Sequence, residues 1–545
     1  MKSTPTKVMP RKLSSSSSAA PKTVRESVLD LLRRLGMTAV FGNPGSTELP
    51  LFRDFPEDFR YILGLQEAVV VGMADGYAQA MHNAAFVNLH SAAGVGHAMG
   101  NIFTAFKNRT PLVITAGQQA RSLMQLDPFL FSNQAAELPK PYVKWSCEPA
   151  CAQDVPAAIA RAYHIAMQEP RGPVFVSVPA DDWDQPAEAV PDRVVSHETR
   201  PDPVLLAKVA EALNKARFPA FVVGAAVDRG QAWDAVVRLA EAHSASVYCA
   251  PMAGRCSFPE DHPLFAGFLP AMRDKIVAAL AGHDFVFAIG APAFTYHVEG
   301  IGPHVPKGAD LVQLIEDPAI AAWTPVGTSL VGNIRMGVQD LLAQTEPVKR
   351  TIPASMVRLP RVDMPADGDR IPVSYLMQTL ADLRDPASVV VEEAPSSRPV
   401  MQAYLPIFQS GTYYTMCSGG LGHSLPAAVG VALAQPEKKV IAVIGDGSSM
   451  YAIQALWSAA QMQLPITIII VKNRRYAALQ NFAPAFGYAP GTPVAGTELP
   501  DIDFVLLARG QGCQGLRVVH GKQLHTTLRK ALRATVPTLV EVEVA

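Results

Sequence analysis

Cysteine is scarce and scattered. Six in 545 residues make no disulfide framework, and reduced thiols in a cytoplasmic protein are the simpler reading. Cys147 and Cys151 lie close together, but no second pair completes a zinc site. Net charge is nearly absent as well: 47 Lys and Arg face 48 Asp and Glu, so no basic face points to nucleic acid. No apolar stretch exceeds strand length, which gives no reason to expect a membrane span. The first twenty-odd residues lack any acid before Glu26 and lack the apolar core of a secretory signal. They are serine-rich and carry Lys2, Lys7, Arg11, Lys12 and Lys22. Residues 1–22 therefore read as a disordered tail, with an organelle transit peptide as the alternative.

What the chain does contain is alternation. It is long enough for three domains of ordinary size. The first block, 23–190, alternates helical stretches with strand-like runs at Thr38–Phe41, Ala85–Leu89, Leu112–Thr115 and Val174–Val178. Pro- and charge-rich sequence from Pro191 to Pro203 reads as a linker. A second block, 204–345, has runs at Ala220–Val223 and Phe285–Ile289. A second linker covers Glu346 to Pro372, and the last block is 373–545. The expectation is α/β: three doubly wound parallel-sheet domains.

The last block holds the most informative residues. Val440–Ile444 has the length and β-branched content of a buried strand, and Gly445-Asp446-Gly447-Ser448 follows it. A second such run, Ile466–Val471, ends just before Lys472-Asn473. Between them Tyr451–Gln463 reads as a helix, with Ala452, Ala455, Leu456 and Ala459 on one face. A right-handed crossover then puts Asp446 and Asn473 at one carboxyl edge, where open α/β sheets bind ligands. One carboxylate and one carboxamide oxygen suit Mg²⁺, which takes a few protein oxygens and completes its shell with phosphate and water. The adjacent glycines let a phosphate approach the backbone at a helix amino end. The plainer alternative is a strand-to-helix turn with aspartate as its cap.

Gly445-Asp446-Gly447 followed by Asn473 resembles the diphosphate and magnesium motif of thiamine diphosphate-dependent enzymes. Gln66-Glu67-Ala68, after the apolar Tyr61-Ile62-Leu63, resembles their second signature, a glutamate that activates the cofactor's pyrimidine. The resemblance runs from about Val24 to the end of the chain and is to the three-domain 2-keto acid decarboxylase and acetolactate synthase branch. It implies thiamine diphosphate and Mg²⁺ as cofactors. It also implies a pyrimidine-binding first domain, a central domain, and a diphosphate-binding last domain. The implied assembly is at least a homodimer, with each cofactor between protomers, and by analogy a homotetramer. Its implied partner is a small-molecule 2-keto acid, with no nucleic acid and no membrane.

The resemblance also implies roles. Glu67, against the pyrimidine N1′, favours the tautomer that takes the thiazolium C2 proton, and the cofactor supplies the electron sink. In the glycine-rich Cys417–Gly422 stretch, Gly419 offers a carbonyl to the pyrimidine amine and Leu421 is the wedge that bends the cofactor. Asp446, Asn473 and the backbone carbonyl of Arg475 are the metal ligands. Gly445, Gly447, Ser448, Ser396 and Tyr476 belong to the cofactor site. Segments such as Val40–Ser46, Asn88–Gly94 and Gly290–His297 are similar to the benzoylformate decarboxylases. They place that group's catalytic serine on Ser46 and its two histidines on His90 and His297. An imidazole near neutrality suits the two proton transfers that decarboxylation to an aldehyde requires. Phe129, Leu130, Ala478, Leu479 and Phe482 would face an aromatic ring; as apolar residues they also read as plain core.

The chain departs from the pattern in places. Lys472 stands where many relatives have Asn, and Arg474 and Arg475 stand where small residues are expected, adding cations beside the diphosphate. His423 replaces an aromatic residue, and Pro395 replaces a hydroxyl residue, leaving Ser396 and Ser448 as phosphate contacts. Ser91 stands where pyruvate decarboxylases place a second histidine. The expected function is non-oxidative decarboxylation of an aromatic, benzoylformate-like 2-keto acid to an aldehyde and CO₂, by way of an ylide and an enamine. The alternatives are carboligation of the acetolactate synthase type and a non-catalytic, cofactor-binding paralogue.

Overall fold

The computed structural model describes residues 22–351, 356–489 and 491–545; the tail expected over 1–22 lies, but for Lys22, outside them. Three six-stranded sheets are built in chain order. The first contains β1 (Ala39–Gly42), β2 (Arg60–Leu63), β3 (Ala85–Leu89), β4 (Leu112–Gln118), β5 (Ser146–Cys147) and β6 (Val174–Pro179). The second contains β7 (Pro219–Val223), β8 (Ser246–Cys249), β9 (Phe265–Phe268), β10 (Phe285–Ile289), β11 (Asp310–Ile315) and β12 (Thr328–Val331). The third contains β13 (Val389–Glu393), β14 (Tyr413–Thr415), β15 (Val440–Gly445), β16 (Thr467–Lys472), β17 (Gln514–Val518) and β18 (Thr538–Glu543). Pairing within every sheet is parallel. Helices cover both faces, which is why the central strands read as unbroken apolar runs rather than alternating ones.

The strand orders carry more than the fold class. Sheet one runs β2-β1-β3-β4-β6-β5 and sheet three runs β14-β13-β15-β16-β18-β17. These are the same order when each is counted from its own first strand. The chain steps to opposite sides of β1 and of β13, so β1/β3 and β13/β15 are the points where ligands sit in such sheets. The middle sheet, β12-β11-β10-β7-β8-β9, has the six-strand Rossmann order instead.

The helices that matter for the site are α1 (Glu67–Met81), α2 (Ser91–Asn108), α3 (Ser424–Ala434), α4 (Asp446–Met450), α5 (Ala455–Gln461) and α6 (Ala477–Phe482). α1 follows β2 and α3 follows β14, equivalent places in the two repeated sheets. The two helices pack against each other at glycines. A Cβ on Gly76 would overlap the Ala427 carbonyl, and one on Gly430 would overlap the Met73 carbonyl. One apolar cluster, including Val69, Val70, Met73, Leu425, Val429 and Val431, therefore joins the first and third sheets. Among the described residues no helix is long and apolar enough to cross a membrane.

The helix expected over Tyr451–Gln463 is shorter: only α5, Ala455–Gln461, lies within that span. α4 begins at Asp446 itself, and a turn separates it from α5. Ala452, Ala455, Leu456 and Ala459 are all buried, so the apolar face is real. The break falls where Tyr451 abuts Gly422, whose added Cβ would lie 2.6 Å from the Tyr451 Cβ.

Candidate active site

Asp446 and Asn473 follow adjacent parallel strands, paired Gly445 to Val471. The Asp446 carboxylate is buried, with 4% of the residue exposed. It accepts the Gly447 N–H at 2.8 Å and the Arg474 N–H at 2.6 Å. Burial pushes its carboxyl above the usual carboxylate range, against the pull of these backbone donors. Among the described ion pairs none neutralises it. Asn473 turns its carboxamide oxygen back onto the Arg475 N–H at 3.1 Å. The hairpin-like contact of this loop with Thr497–Leu499 takes up the Tyr476 N–H and the Arg474 carbonyl. Gly447 has no room for a side chain, because a Cβ would overlap the Tyr476 ring. Gly445 lies beside Ala394 at the end of β13, two residues before Ser396. Ser448 is buried in α4.

A buried carboxylate served only by backbone donors, at a glycine-lined switch point, is chemistry that a hard cation suits. Among the described residues no group of three or more His, Cys, Asp or Glu is placed to hold a metal. A cation here would draw the rest of its shell from carboxamide, carbonyl, water or phosphate oxygens, and Mg²⁺–diphosphate supplies the last of these. The residues fit that group. The added cations do not spoil the fit. Lys472 points to the far side of the strand, where its Nζ lies 2.9 Å from Glu541, and Arg474 pairs with Glu543 at 3.1 Å. Both acids come from β18. Arg475 is exposed.

A second cluster sits at the β1/β3 switch point. Glu67 opens α1, with Gln66 capping the helix through the Ala68 and Val69 N–H groups. Only 7% of Glu67 is exposed. Its carboxylate accepts the Asn43 amide at 3.3 Å and lies 3.1 Å from His97 Nδ1. His90 follows β3, and its Nδ1 is 2.8 Å from Glu48 Oε2. Glu48 is itself sealed, with no exposed side-chain surface. It accepts the Gly45 N–H (2.8 Å), the Gly117 N–H (3.0 Å) and the Thr47 hydroxyl (2.6 Å). A carboxylate at Nδ1 places the ring proton there and leaves Nε2 free for exchange. Ser46 is exposed at the head of the short 3₁₀ turn Ser46–Glu48.

Glu48, Asn43 and His97 are the residues that sequence reasoning missed. Glu48 was masked because it also closes the turn onto the Gly45 N–H, as a helix-capping glutamate does. Asn43 and His97 reach Glu67 from other elements, and no local pattern announces that.

The remaining expected residues are spread out. His297 is exposed, and its ring meets that of Phe482 of α6 at a tilt, with centroids 4.7 Å apart. Ala478 and Leu479 share that helix. Phe129, 85% exposed, and Leu130 lie on a surface loop whose Phe129 carbonyl accepts the Gln119 amide. Gly419, at φ +75°, and Gly420 form the exposed tip of the Cys417–Gly422 loop, with Leu421 half-buried. Within one chain the structure therefore gathers Ser46, His90 and Glu67 in one place. Asp446, Asn473, Gly447 and Tyr476 are gathered in a second, and His297 and Phe482 in a third. Among the described hydrogen bonds none links these groups to one another.

Three family models match in chain order: "Thiamine pyrophosphate enzyme, N-terminal TPP binding domain" over residues 22–136, the central domain over 206–341, and the C-terminal TPP binding domain over 396–542. The benzoylformate decarboxylase of Pseudomonas aeruginosa is 45% identical over 525 residues, 96% of this chain and 98% of that one. An acetolactate synthase large subunit of Parasynechococcus marenigrum is 27% identical, over 96% of this chain and 88% of its own. The solved structure of a thiamine diphosphate-dependent 4-hydroxybenzoylformate decarboxylase from Rhodococcus jostii superposes with a TM-score of 0.91 at 39% identity, covering 96% and 99% of the two chains.

Proposed function

Since the chain belongs to the thiamine pyrophosphate enzymes and is a 2-keto acid decarboxylase among them, we propose that its substrate is an aromatic, benzoylformate-like 2-keto acid, cleaved to the aldehyde and CO₂. The observation that carries this reading is the His90–Glu48 pair beside Ser46 and Glu67. It presents an imidazole nitrogen that can pass a proton to the enamine carbon, the step that ends in an aldehyde and that carboligation replaces by attack on a second carbonyl. The names of the two decarboxylase relatives support the aromatic substrate, as does the exposed apolar set Phe129, Leu479 and Phe482.

Thiamine diphosphate, when bound, supplies the nucleophilic carbon and the electron sink. Asp446, Asn473 and the Arg475 carbonyl would hold Mg²⁺. Ser396, Ser448, Gly445, Gly447 and Tyr476 would surround the diphosphate. Glu67 would hold a proton facing the cofactor's pyrimidine, Gly419 would offer its backbone carbonyl to the same ring, and Leu421 would pack against the cofactor. Ser46 hydrogen-bonds the substrate carboxylate. His90, fixed through Nδ1 by Glu48, and His297, beside Phe482, hold and deliver protons on the product side. Leu130 and Ala478 complete the aryl pocket with the three apolar residues above. Because the Glu67 and Asp446 clusters are separate within one chain, the working unit is a homodimer with shared sites, and pairs of dimers give a tetramer. The free thiols suit the cytoplasm.

The test is a panel of 2-keto acids with added thiamine diphosphate and Mg²⁺, scored for aldehyde, CO₂ and acetolactate. Benzoylformate is expected to turn over far faster than pyruvate. Acetolactate from pyruvate with no benzaldehyde from benzoylformate would replace this reading by carboligation.

A further inference from the structure

The place where the first and third sheets meet the middle one is charged and sealed. Asp75 on α1 has no exposed surface, and His423, just before α3, has 1%. His423 Nε2 lies 3.0 Å from Asp75 Oδ2. Asp75 also accepts the Thr110 hydroxyl (2.7 Å), the Gln79 amide (2.5 Å) and the Asn108 amide (3.0 Å). The network extends into the middle domain: Gln79 accepts from Arg255 at 3.0 Å, and Arg255 pairs with Asp228 at 2.7 Å. Burial opposes charge on both members of the His423–Asp75 pair, yet each outweighs that cost for the other. His423 is held above the usual histidine value and Asp75 below the usual carboxylate value.

The geometry around His423 converges on one loop. The Cys417 N–H donates to the Asn108 carboxamide at 2.9 Å, and the Ser418 hydroxyl meets that of Thr104 at 2.9 Å. At the other end the Gly422 carbonyl accepts the Asn101 amide at 3.2 Å. The N–H groups of Gly422, His423 and Ser424 all donate to the buried Glu393 carboxylate, at 2.6, 2.9 and 2.6 Å. Both ends of Cys417–Gly422 are thus clamped, while the tip at Gly419 is bare, with nothing within 4 Å of where its Cβ would stand. A loop held at its ends and open at its tip is a presented surface. Asp75 is on the helix that begins with Glu67, about 12 Å along the axis.

We propose that His423 is a positioning residue for cofactor binding: its contact with Asp75 locks the Cys417–Gly422 loop onto α1, so that the Gly419 carbonyl and Leu421 stand ready for the pyrimidine. This rests on the assignment of Gly419 and Leu421 above. The pair does not touch the reacting atoms; it acts through the loop. A hydrophobic residue at position 423 would leave the Asp75 carboxylate without its His423 partner and the loop free to shift.

The experiment uses the full-length chain as wild type, His423→Phe, His423→Gln, Asp75→Asn and the double variant His423→Phe/Asp75→Asn. Thiamine diphosphate affinity with Mg²⁺ is read from quenching of intrinsic tryptophan fluorescence, with far-UV circular dichroism to establish the fold and kcat and KM for benzoylformate alongside. His423→Phe is expected to weaken thiamine diphosphate binding about 10- to 100-fold with KM for benzoylformate unchanged. His423→Gln, which keeps a donor facing Asp75, recovers most of the loss. The double variant loses less than the product of the two single effects, by a factor of about five or more. Unchanged affinity in a folded His423→Phe, or effects that simply multiply, overturns the proposal. If His423→Phe does not fold, the comparison of His423→Gln with Asp75→Asn decides it by the same affinity readout. A wild-type chain that binds no thiamine diphosphate would instead strike the assignment of the site.

Discussion

At the scale of single residues, the most telling side chain is one with no exposed surface. Glu48 makes four hydrogen bonds, and one of them sets which nitrogen of His90 is free. Replacing it by Gln keeps the shape but gives the ring an amide that can donate as well as accept, so the wrong tautomer becomes available. Glu48→Gln is expected to lower kcat for benzoylformate about 10²- to 10⁴-fold with thiamine diphosphate affinity retained. Equal turnover would remove His90 from the proton path. Glu67, Asp446 and Asn473 stand out in the sequence because each sits beside a strand end within a short, recognisable pattern. The pairs that cross the fold do not: His423 and Asp75 are 348 positions apart, and only the packing of α1 on α3 brings them together.

At the scale of elements, the contact of α1 with α3 ties together both halves of the proposed site, since Glu67 heads one helix and the Gly419 loop leads into the other. The helices approach so closely that the backbone of one fills the space where the other's side chains would be. Gly430→Ala is therefore expected to cost about 1–3 kcal/mol of stability, seen as a lower urea midpoint, and to weaken cofactor binding. Gly100→Ala on α2, where nothing lies within 4 Å, is the control. It is expected to leave stability unchanged or raise it by up to about 1 kcal/mol. Equal midpoints for the two variants would mean that the helices can part without consequence. The strands were legible in the sequence because buried parallel strands are written as β-branched runs. The break between α4 and α5 was not, because Tyr451 answers to Gly422 rather than to its neighbours in sequence.

At the scale of the whole molecule, the middle domain carries its own sensitivity to acid. His243 ends the helix Trp233–His243, is fully buried, and leaves Nε2 without a partner. Burial, with the Arg350 guanidinium beside it, lowers its pKa from 6.5 to about 4. Arg350 meanwhile binds the carbonyls of Leu213, Ala216 and His243, each at 2.8 Å, and so ties the segment after β12 to the domain. Between pH 6.5 and 4 the unfolded chain takes up a proton that the folded chain refuses. Stability on this account is full above that window, falls as the pH drops through it, and loses at most roughly 3 kcal/mol. His243→Phe is expected to flatten the fall in thermal midpoint over that range. A slope identical to wild type would place the acid sensitivity elsewhere.

The repeated strand order of the first and third sheets raises a larger question about the same molecule. Each copy has a ligand position at its switch point, yet on the proposed reading one copy would supply the carboxylate for the pyrimidine and the other the anchor for the diphosphate. On that reading a chain that holds both halves apart would need a neighbour to complete either. This can be read without a structure of the assembly. Glu67→Gln and Asp446→Asn chains, each expected to be nearly inactive alone, are unfolded together, refolded as a 1:1 mixture, and assayed with benzoylformate. If the site is shared, the mixed dimer has one doubly defective site and one intact site. Random pairing through a twofold interface then restores about a quarter of wild-type turnover. If each chain builds its own site, every site in the mixture keeps a defect and nothing is restored. Activity no greater than the sum of the two separate variants would therefore put Glu67 and Asp446 at one cofactor within a single chain, and the dimeric site would fall with it.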